Sequence, residues 1–287
     1  MKNIKRKLQI SNGHYLDFDQ LARLIHSINS SDRKLSMSEL EELSGLPFRQ
    51  VRNRISIGRA MGIFEPKSIS LSAFGKLVAL HDNFMESNPT LEYIHYLASS
   101  NSYNLVWFEV FNSLLVSESS KDYEGWLTYF RKKLAQFYTE HSIKDHVGKE
   151  IRFIIDAYIE RNFNKLELLF RGTDGMLFRK RYTAFNALIL CAMIYDYCTK
   201  KEAHLFQVGE LAATPGSPAR VFGLDVASFR QQIEGLHDRG WLRYETTHNL
   251  DQIRLKPGLT AISFLSAHFE DREPREDTIQ SPGDIFQ

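Results

Sequence analysis

The chain has 287 residues, 43% hydrophobic and 25% charged, with 36 Lys and Arg against 35 Asp and Glu and a formal net charge of +1. That is enough ordinary globular sequence for two or three small domains, and the 12% aromatic content speaks against a disordered scaffold. No apolar run approaches the roughly 20 residues of a membrane helix, and no apolar signal core follows the basic start Met1-Lys-Asn-Ile-Lys-Arg-Lys7, so no membrane partner is expected. Cys191 and Cys198 lie two helical turns apart in an apolar helix, too far apart to bond to each other, and read as buried thiols. The expected location is a reducing cytoplasm.

Charge is distributed more informatively than it is balanced. No acid occurs between Glu42 and Glu65, whereas Arg49, Arg52, Arg54 and Arg59 all fall there. A helix over 18–28 opens at an Asp17 cap, with Phe18, Leu21, Leu24, Ile25 and Ile28 at helical spacing. Ser38 then caps a short helix with Glu41 at the capping-box position, Gly45 makes a turn, and Pro47 opens a second helix to about Met61. Ser68-Ile-Ser-Leu-Ser72 alternates like a short strand. Helix, glycine turn, helix and strand is the order of a winged helix-turn-helix, assigned here to residues 1–72. An ordinary αα-hairpin has the same order. The acid-free arginines favour DNA contact, since such modules read DNA with the second helix. On that helix Arg49, Arg52, Asn53 and Ser56 share one face, with Arg59 beyond them, while Val51 and Ile55 turn to the core.

The middle, residues 73–203, shows no internal repeat and reads as a helical domain built from amphipathic segments at 91–98, 105–116, 123–137, 147–159 and 182–198. Asn88-Pro89 and Gly172-Thr-Asp-Gly175 mark breaks between them. A second winged-helix module spans residues 204–269. It starts with a short helix from Phe206, passes the turn-rich Thr214-Pro-Gly-Ser-Pro218, and continues in a helix capped by Asp225. Strands over 242–246 and 252–255, joined around His248-Asn249, form its wing, with Arg243 and Arg254 as the DNA contacts. Residues 270–287 carry six acids against Arg272 and Arg275 and read as a disordered acidic tail. The fold expected is therefore mainly α, a helical middle flanked by N- and C-terminal winged helix-turn-helix modules with short β-wings.

Signatures of P-loops, nucleophile elbows and zinc hydrolases are missing, and no organic cofactor is expected. One polar cluster stands out: His81-Asp82, Glu86 and His95. Such groups can ligate Mg²⁺ or Mn²⁺ and activate water against a phosphodiester. They can equally form a hydrogen-bonded network that ties helices together.

The stretch from Leu71 to Ser100 resembles a bacterial uncharacterised-domain family that includes the SspB-type proteins of DNA phosphorothioation clusters. The matching positions are Gly75, His81, Asp82, Phe84, Glu86, Thr90, Leu91, His95, Tyr96, Leu97, Ala98 and Ser99, followed by Trp107, Phe111 and Asn112. Pro215-Gly-Ser-Pro-Ala-Arg-Val-Phe-Gly-Leu-Asp225 looks like the family's Pro-Gly-Ser loop, and Gly13-His14 like its N-terminal Gly-His. Tyr15-Leu16-Asp17 and Leu46-Pro-Phe-Arg-Gln50 depart from the family pattern and mark a divergent member.

The resemblance implies a place in a phosphorothioate modification and anti-phage system, beside sulfur-transfer and ATPase proteins. The leading reading is a component that binds double-stranded DNA, with nicking of that DNA as the activity the resemblance suggests. The alternative is a non-enzymatic DNA-binding adaptor or transcriptional regulator that recruits partners through its helical middle.

Overall fold

The computed structural model describes residues 6–117, 121–247 and 250–276. The chain is mainly helical. Asp17 Oδ1 accepts from the Gln20 amide at 3.0 Å and opens α1 (Phe18–Asn29), which buries Phe18, Leu21, Leu24 and Ile25. The second helix, α2 (Met37–Ser44), is capped by Ser36 rather than Ser38, because Glu39 reaches back to the Ser36 amide at 2.7 Å and completes the capping box two residues early. Glu41, freed from that role, accepts from the Phe48 amide at 2.9 Å across the Gly45 turn. This bond ties α2 to the start of α3 (Phe48–Ala60).

The strand expected at 68–72 is reduced to one antiparallel bridge, Phe64 to Leu71. The turn between them is held by Arg59, which donates to the Glu65 carbonyl at 3.2 Å and the Ser68 carbonyl at 3.1 Å. Next comes α4 (Ala73–His81), capped by Ser72. It approaches residue 63 so closely that a Cβ on Gly75 would lie 2.0 Å from the Ile63 carbonyl oxygen, so only glycine fits there.

The middle comprises α5 (Asn88–Ser100), then α6 (Leu105–Glu109), which runs through a π-helical turn (Val110–Leu114) into α7 (Leu115–Ser117). It continues with α8 (Tyr123–Leu134), α9 (Glu140–Ser142), a second π turn (Ile143–Val147) and α10 (Gly148–Ile159). A 3₁₀ turn (Asn162–Leu166) precedes the antiparallel hairpin of β1 (Leu169–Arg171) and β2 (Leu177–Arg179). Sequence had marked only a break there. Helix α11 (Ala187–Lys200) is apolar nearly all round, as its sequence predicts, and buries both free cysteines.

The last segment holds β3 (Leu205–Gln207), α12 (Val208–Ala213), α13 (Pro218–Phe222), α14 (Val226–Asp238), β4 (Leu242–Glu245), β5 (Gln252–Leu255) and α15 (Ala261–Phe269). Phe206 lies in a strand, not in the short helix expected, because Leu205–Gln207 pairs with β5 far along the chain. The antiparallel sheet runs β3-β5-β4. The turn at His248-Asn249 lies outside the described residues, as does most of the acidic tail. Helix α15 packs on α11 and on α4, and one hydrophobic cluster runs from Ile10 to Leu265.

Buried polar bonds join these parts. Helix α13 is short and presents the Arg220 and Val221 carbonyls to the interior. Arg179 donates to both, at 2.7 and 2.6 Å, and to the Phe111 carbonyl at 2.9 Å. His95, fully buried between Phe111 and Phe222, donates through Nε2 to Val221 at 3.2 Å, so its Nδ1 accepts from the Tyr158 hydroxyl. Burial pushes the imidazole down to about 3 and keeps it neutral. Asn112 donates to the Ser99 and Phe108 carbonyls at 2.8 Å each and accepts from the Gly216 amide at 2.6 Å. Gly216 has φ +87°, and a Cβ there would sit 3.0 Å from the Ser100 carbonyl oxygen, so the Pro-Gly-Ser loop can press against α5.

Two buried carboxyls complete the framework. Glu150 accepts from the Ile10 and Ser11 amides at 3.0 Å and the Ser11 hydroxyl at 2.8 Å. Glu92 accepts from the Tyr182 hydroxyl at 2.6 Å and the Asn186 amide at 3.2 Å. Burial pushes Glu150 up to about 7 and Glu92 up to about 8. A carboxyl whose folded pKa is raised holds its proton longer in the native state, so it contributes stability below about 4.5 that is lost as pH rises to its folded value.

Glu92→Gln is therefore expected to raise the urea midpoint relative to the parent at pH 8 and to leave it unchanged at pH 4.5. An equal effect at both pH values would contradict the burial argument. Asn112→Ala, which orphans the Gly216 amide and the Ser99 carbonyl, is expected to cost about 3 kcal/mol. Calorimetry showing an unchanged melting temperature would remove Asn112 from the framework.

Candidate nucleic-acid interface

Helix α3 starts after Pro47 and turns Val51, Ile55 and Ile57 inward. Arg49, Arg52 and Arg59 are exposed and lie along one face over about 15 Å of helix. Asn53, expected on that face, is instead buried and donates to the Ser11 carbonyl at 2.7 Å. Arg54 is also buried, with bonds to Gln20 Oε1 at 2.9 Å and the Tyr15 carbonyl at 2.8 Å. Both side chains are taken up by fastening the N-terminal segment to α3.

The same segment brings Lys7 to the helix. Its backbone pairs with residues 103–105, with the Lys7 amide donating to the Tyr103 carbonyl at 2.8 Å and the Leu105 amide to the Lys7 carbonyl at 3.1 Å. Its ammonium donates to Ser56 Oγ at 2.5 Å. Between α3, the 62–71 turn and the 101–104 loop lies a cleft of about 700 Å³. Lys7, Arg52 and Arg59 line it, and no carboxylate does. Lys7 is held below the usual lysine range first by burial, then by Arg59 and Arg52, against the opposing pull of Glu150. Three cations without a lining acid give the cleft a positive local field that favours anions. Sequence reading missed Lys7, Phe48 and Tyr103. The basic start of the chain was the available signal for Lys7; nothing local marks Tyr103.

At the other end, Arg243 and Arg254 face each other across β4 and β5, and both reach Glu245 Oε1, at 3.2 and 3.5 Å. Arg230 is bound by both Asp251 oxygens, at 3.2 and 2.8 Å. The exposed face of α14 carries Glu234 and Asp238. Positive charge here is offset within the module, whereas on α3 it is not.

Of the central polar residues, His81, Asp82 and Glu86 stay together at the end of α4, and His95 lies apart from them. His81, at the end of α4, stacks on Phe269 with ring centroids 5.7 Å apart. Asp82 accepts from the Glu86 amide at 2.9 Å, the Ser87 amide at 3.2 Å and the Ser87 hydroxyl at 2.7 Å, and so holds the turn into α5. Glu86 is exposed, and His95 lies sealed in the core. Among the described residues no three His, Cys, Asp or Glu side chains form a group that could hold a metal ion. Asp82→Ala is expected to lower stability by about 1–2 kcal/mol, since it leaves the Glu86 and Ser87 amides without their acceptor. A variant that melts like the parent would remove Asp82 from the turn.

No helix among the described residues is long and apolar enough to cross a membrane. No curated protein matches the sequence. Among solved structures, a magnesium ion-bound SspB crystal structure and a second SspB crystal structure share the fold, each with a TM-score of 0.72 at 14% identity, over 93% of this chain and 89% of that chain. The similarity in fold is thus the one that the central motif implied. Residues 58–269 match the family described as protein of unknown function (DUF4007), and this chain belongs to that family.

Proposed function

We propose that the chain is a DNA-binding component of a phosphorothioate modification or defence system, holding duplex DNA through α3 and the cleft beside it. The observation that carries this reading is the acid-free line of Arg49, Arg52 and Arg59 with Lys7 drawn in beside it. Lys and Arg that neutralise phosphates displace condensed counterions, which supplies most of the affinity of such contacts. The order of α2, the Gly45 turn, α3 and the bridged 62–71 turn supports reading the segment as a compact winged helix-turn-helix, with α3 on the DNA. The elements from β3 to β5 support the same reading for the C-terminal segment. Its internally offset charges make it a weaker DNA contact and a platform for the sulfur-transfer and ATPase proteins of the system.

Hydrolysis is not part of this reading, because His95 is sealed in the core and the Asp82 carboxylate is taken up by the Glu86 and Ser87 turn. With supercoiled plasmid and Mg²⁺ or Mn²⁺, the protein is expected to retard the plasmid without relaxing it. Relaxed circles that disappear with chelator would overturn the non-enzymatic reading in favour of a nickase.

Arg49→Gln with Arg52→Gln is expected to weaken duplex binding and to reduce the slope of log affinity against log salt by about two. Arg243→Gln with Arg254→Gln is expected to change the slope by less than one. Duplex affinity and salt slope unchanged by the α3 pair would remove α3 from the DNA contact.

A further inference from the structure

The cleft is larger than a phosphate requires. Its volume of about 700 Å³ falls within the roughly 300–1,000 Å³ typical of sites for small organic ligands. Two aromatic side chains also line it without being packed away: Phe48 is 46% and Tyr103 49% exposed. A rigid duplex lying along α3 would bring phosphates to Arg49 and Arg52, but its stacked bases would have no way to reach those rings. Aromatic faces beside a basic groove are the arrangement that receives unstacked bases, because every base has a π-face and its phosphate needs a cation.

The supports of the cleft are fixed before any ligand arrives. The Lys7 backbone is paired to residues 103–105, and the Tyr103 amide donates to Asn101 Oδ1 at 3.0 Å, which sets the 101–104 loop. On the opposite side, Arg59 is locked to the 62–71 turn. Arg52 has neither a hydrogen bond nor an ion pair among the described residues, so its guanidinium is open to a ligand. The exposed Asn12 and Asn101 at the edge add neutral donors and acceptors.

We propose that this cleft takes one nucleotide of a DNA strand that has left the duplex stack, with its phosphate on Lys7, Arg52 and Arg59 and its base against the rings of Tyr103 and Phe48. The proposal rests on the DNA-binding reading above and adds a preference for unpaired strand. A strand, rather than a free nucleotide, is indicated by Arg52, which belongs both to the cleft and to the exposed α3 face that continues to Arg49.

The test is fluorescence anisotropy on the full chain with three probes: an oligothymidylate of about twelve nucleotides, a blunt duplex of the same length, and thymidine monophosphate as competitor. Tyr103→Ala removes an exposed ring, and its melting temperature is expected to match the parent. It is expected to weaken single-strand binding about tenfold, to leave duplex binding within about twofold, and to be rescued by Tyr103→Phe, which keeps the ring.

Single-strand affinity unaffected by Tyr103→Ala, with salt-sensitive duplex binding intact, would overturn the nucleotide cleft and leave the DNA reading standing. A parent protein that binds neither strand nor duplex at low salt would overturn both. Thymidine monophosphate competing as strongly as the oligonucleotide would overturn the strand and identify a free-nucleotide site.

Discussion

Peptide carbonyls cannot be left unpaired in a protein interior, and the five-residue helix α13 places two of them, from Arg220 and Val221, deep among aromatic rings. Arg179 and His95 supply the missing donors, while Asn112 fastens the preceding Pro-Gly-Ser loop to the end of α5. Each of these groups comes from a different part of the chain. The hairpin strand β2, the middle helix α5, the π turn after α6 and the C-terminal segment are therefore committed to one another. A hydrophobic core tolerates sliding of its layers more readily than a set of directional bonds does, so this arrangement fixes register as well as cohesion. The guanidinium at its centre is costly to bury, and burial with the neighbouring Arg220 pushes it down to about 9.

Three residues that look chemical in the sequence make bonds that hold the fold. His95 is neutral and sealed, Asn112 is saturated with bonds, and the Asp82 carboxylate holds a turn. The charged surface lies elsewhere, where the N-terminal segment crosses α3. Glu150 performs there the task that Arg179 performs in the core. By gathering the Ile10 and Ser11 amides it positions the strand of chain that delivers Lys7 to the cleft.

Much of the local structure was legible in the sequence because its causes are local. Asp17 and Asp225 cap the helices they were expected to cap, Gly45 ends α2, and the strands at 242–245 and 252–255 follow from alternation between turn signals. The misreadings share a physical origin. Ser36 and Ser38 are both plausible caps, and the choice depends on which glutamate reaches back. Strand β3 is only three residues long and exists because β5 is there to pair with it. Asn53 carries no local mark that sets it apart from Arg52; it is buried because Ser11, distant in sequence, needs a donor. The cleft was invisible for the same reason, being assembled from Lys7, α3 and Tyr103 by long-range pairing. The acid-free run from 43 to 64 coincides with the exposed arginine face of α3.

The central claim is that nucleic acid is held at the N-terminal cleft and the α3 face, with the C-terminal sheet left free for partners. Hydrogen exchange read by mass spectrometry, with and without a DNA carrying a single-stranded gap, tests this most directly, because bound ligand slows the opening of the segments it covers. The account requires added protection in peptides spanning residues 48–60, 62–71 and 101–104, with 242–255 unchanged. Protection confined to 226–255, with the N-terminal peptides exchanging as in the free protein, would contradict it.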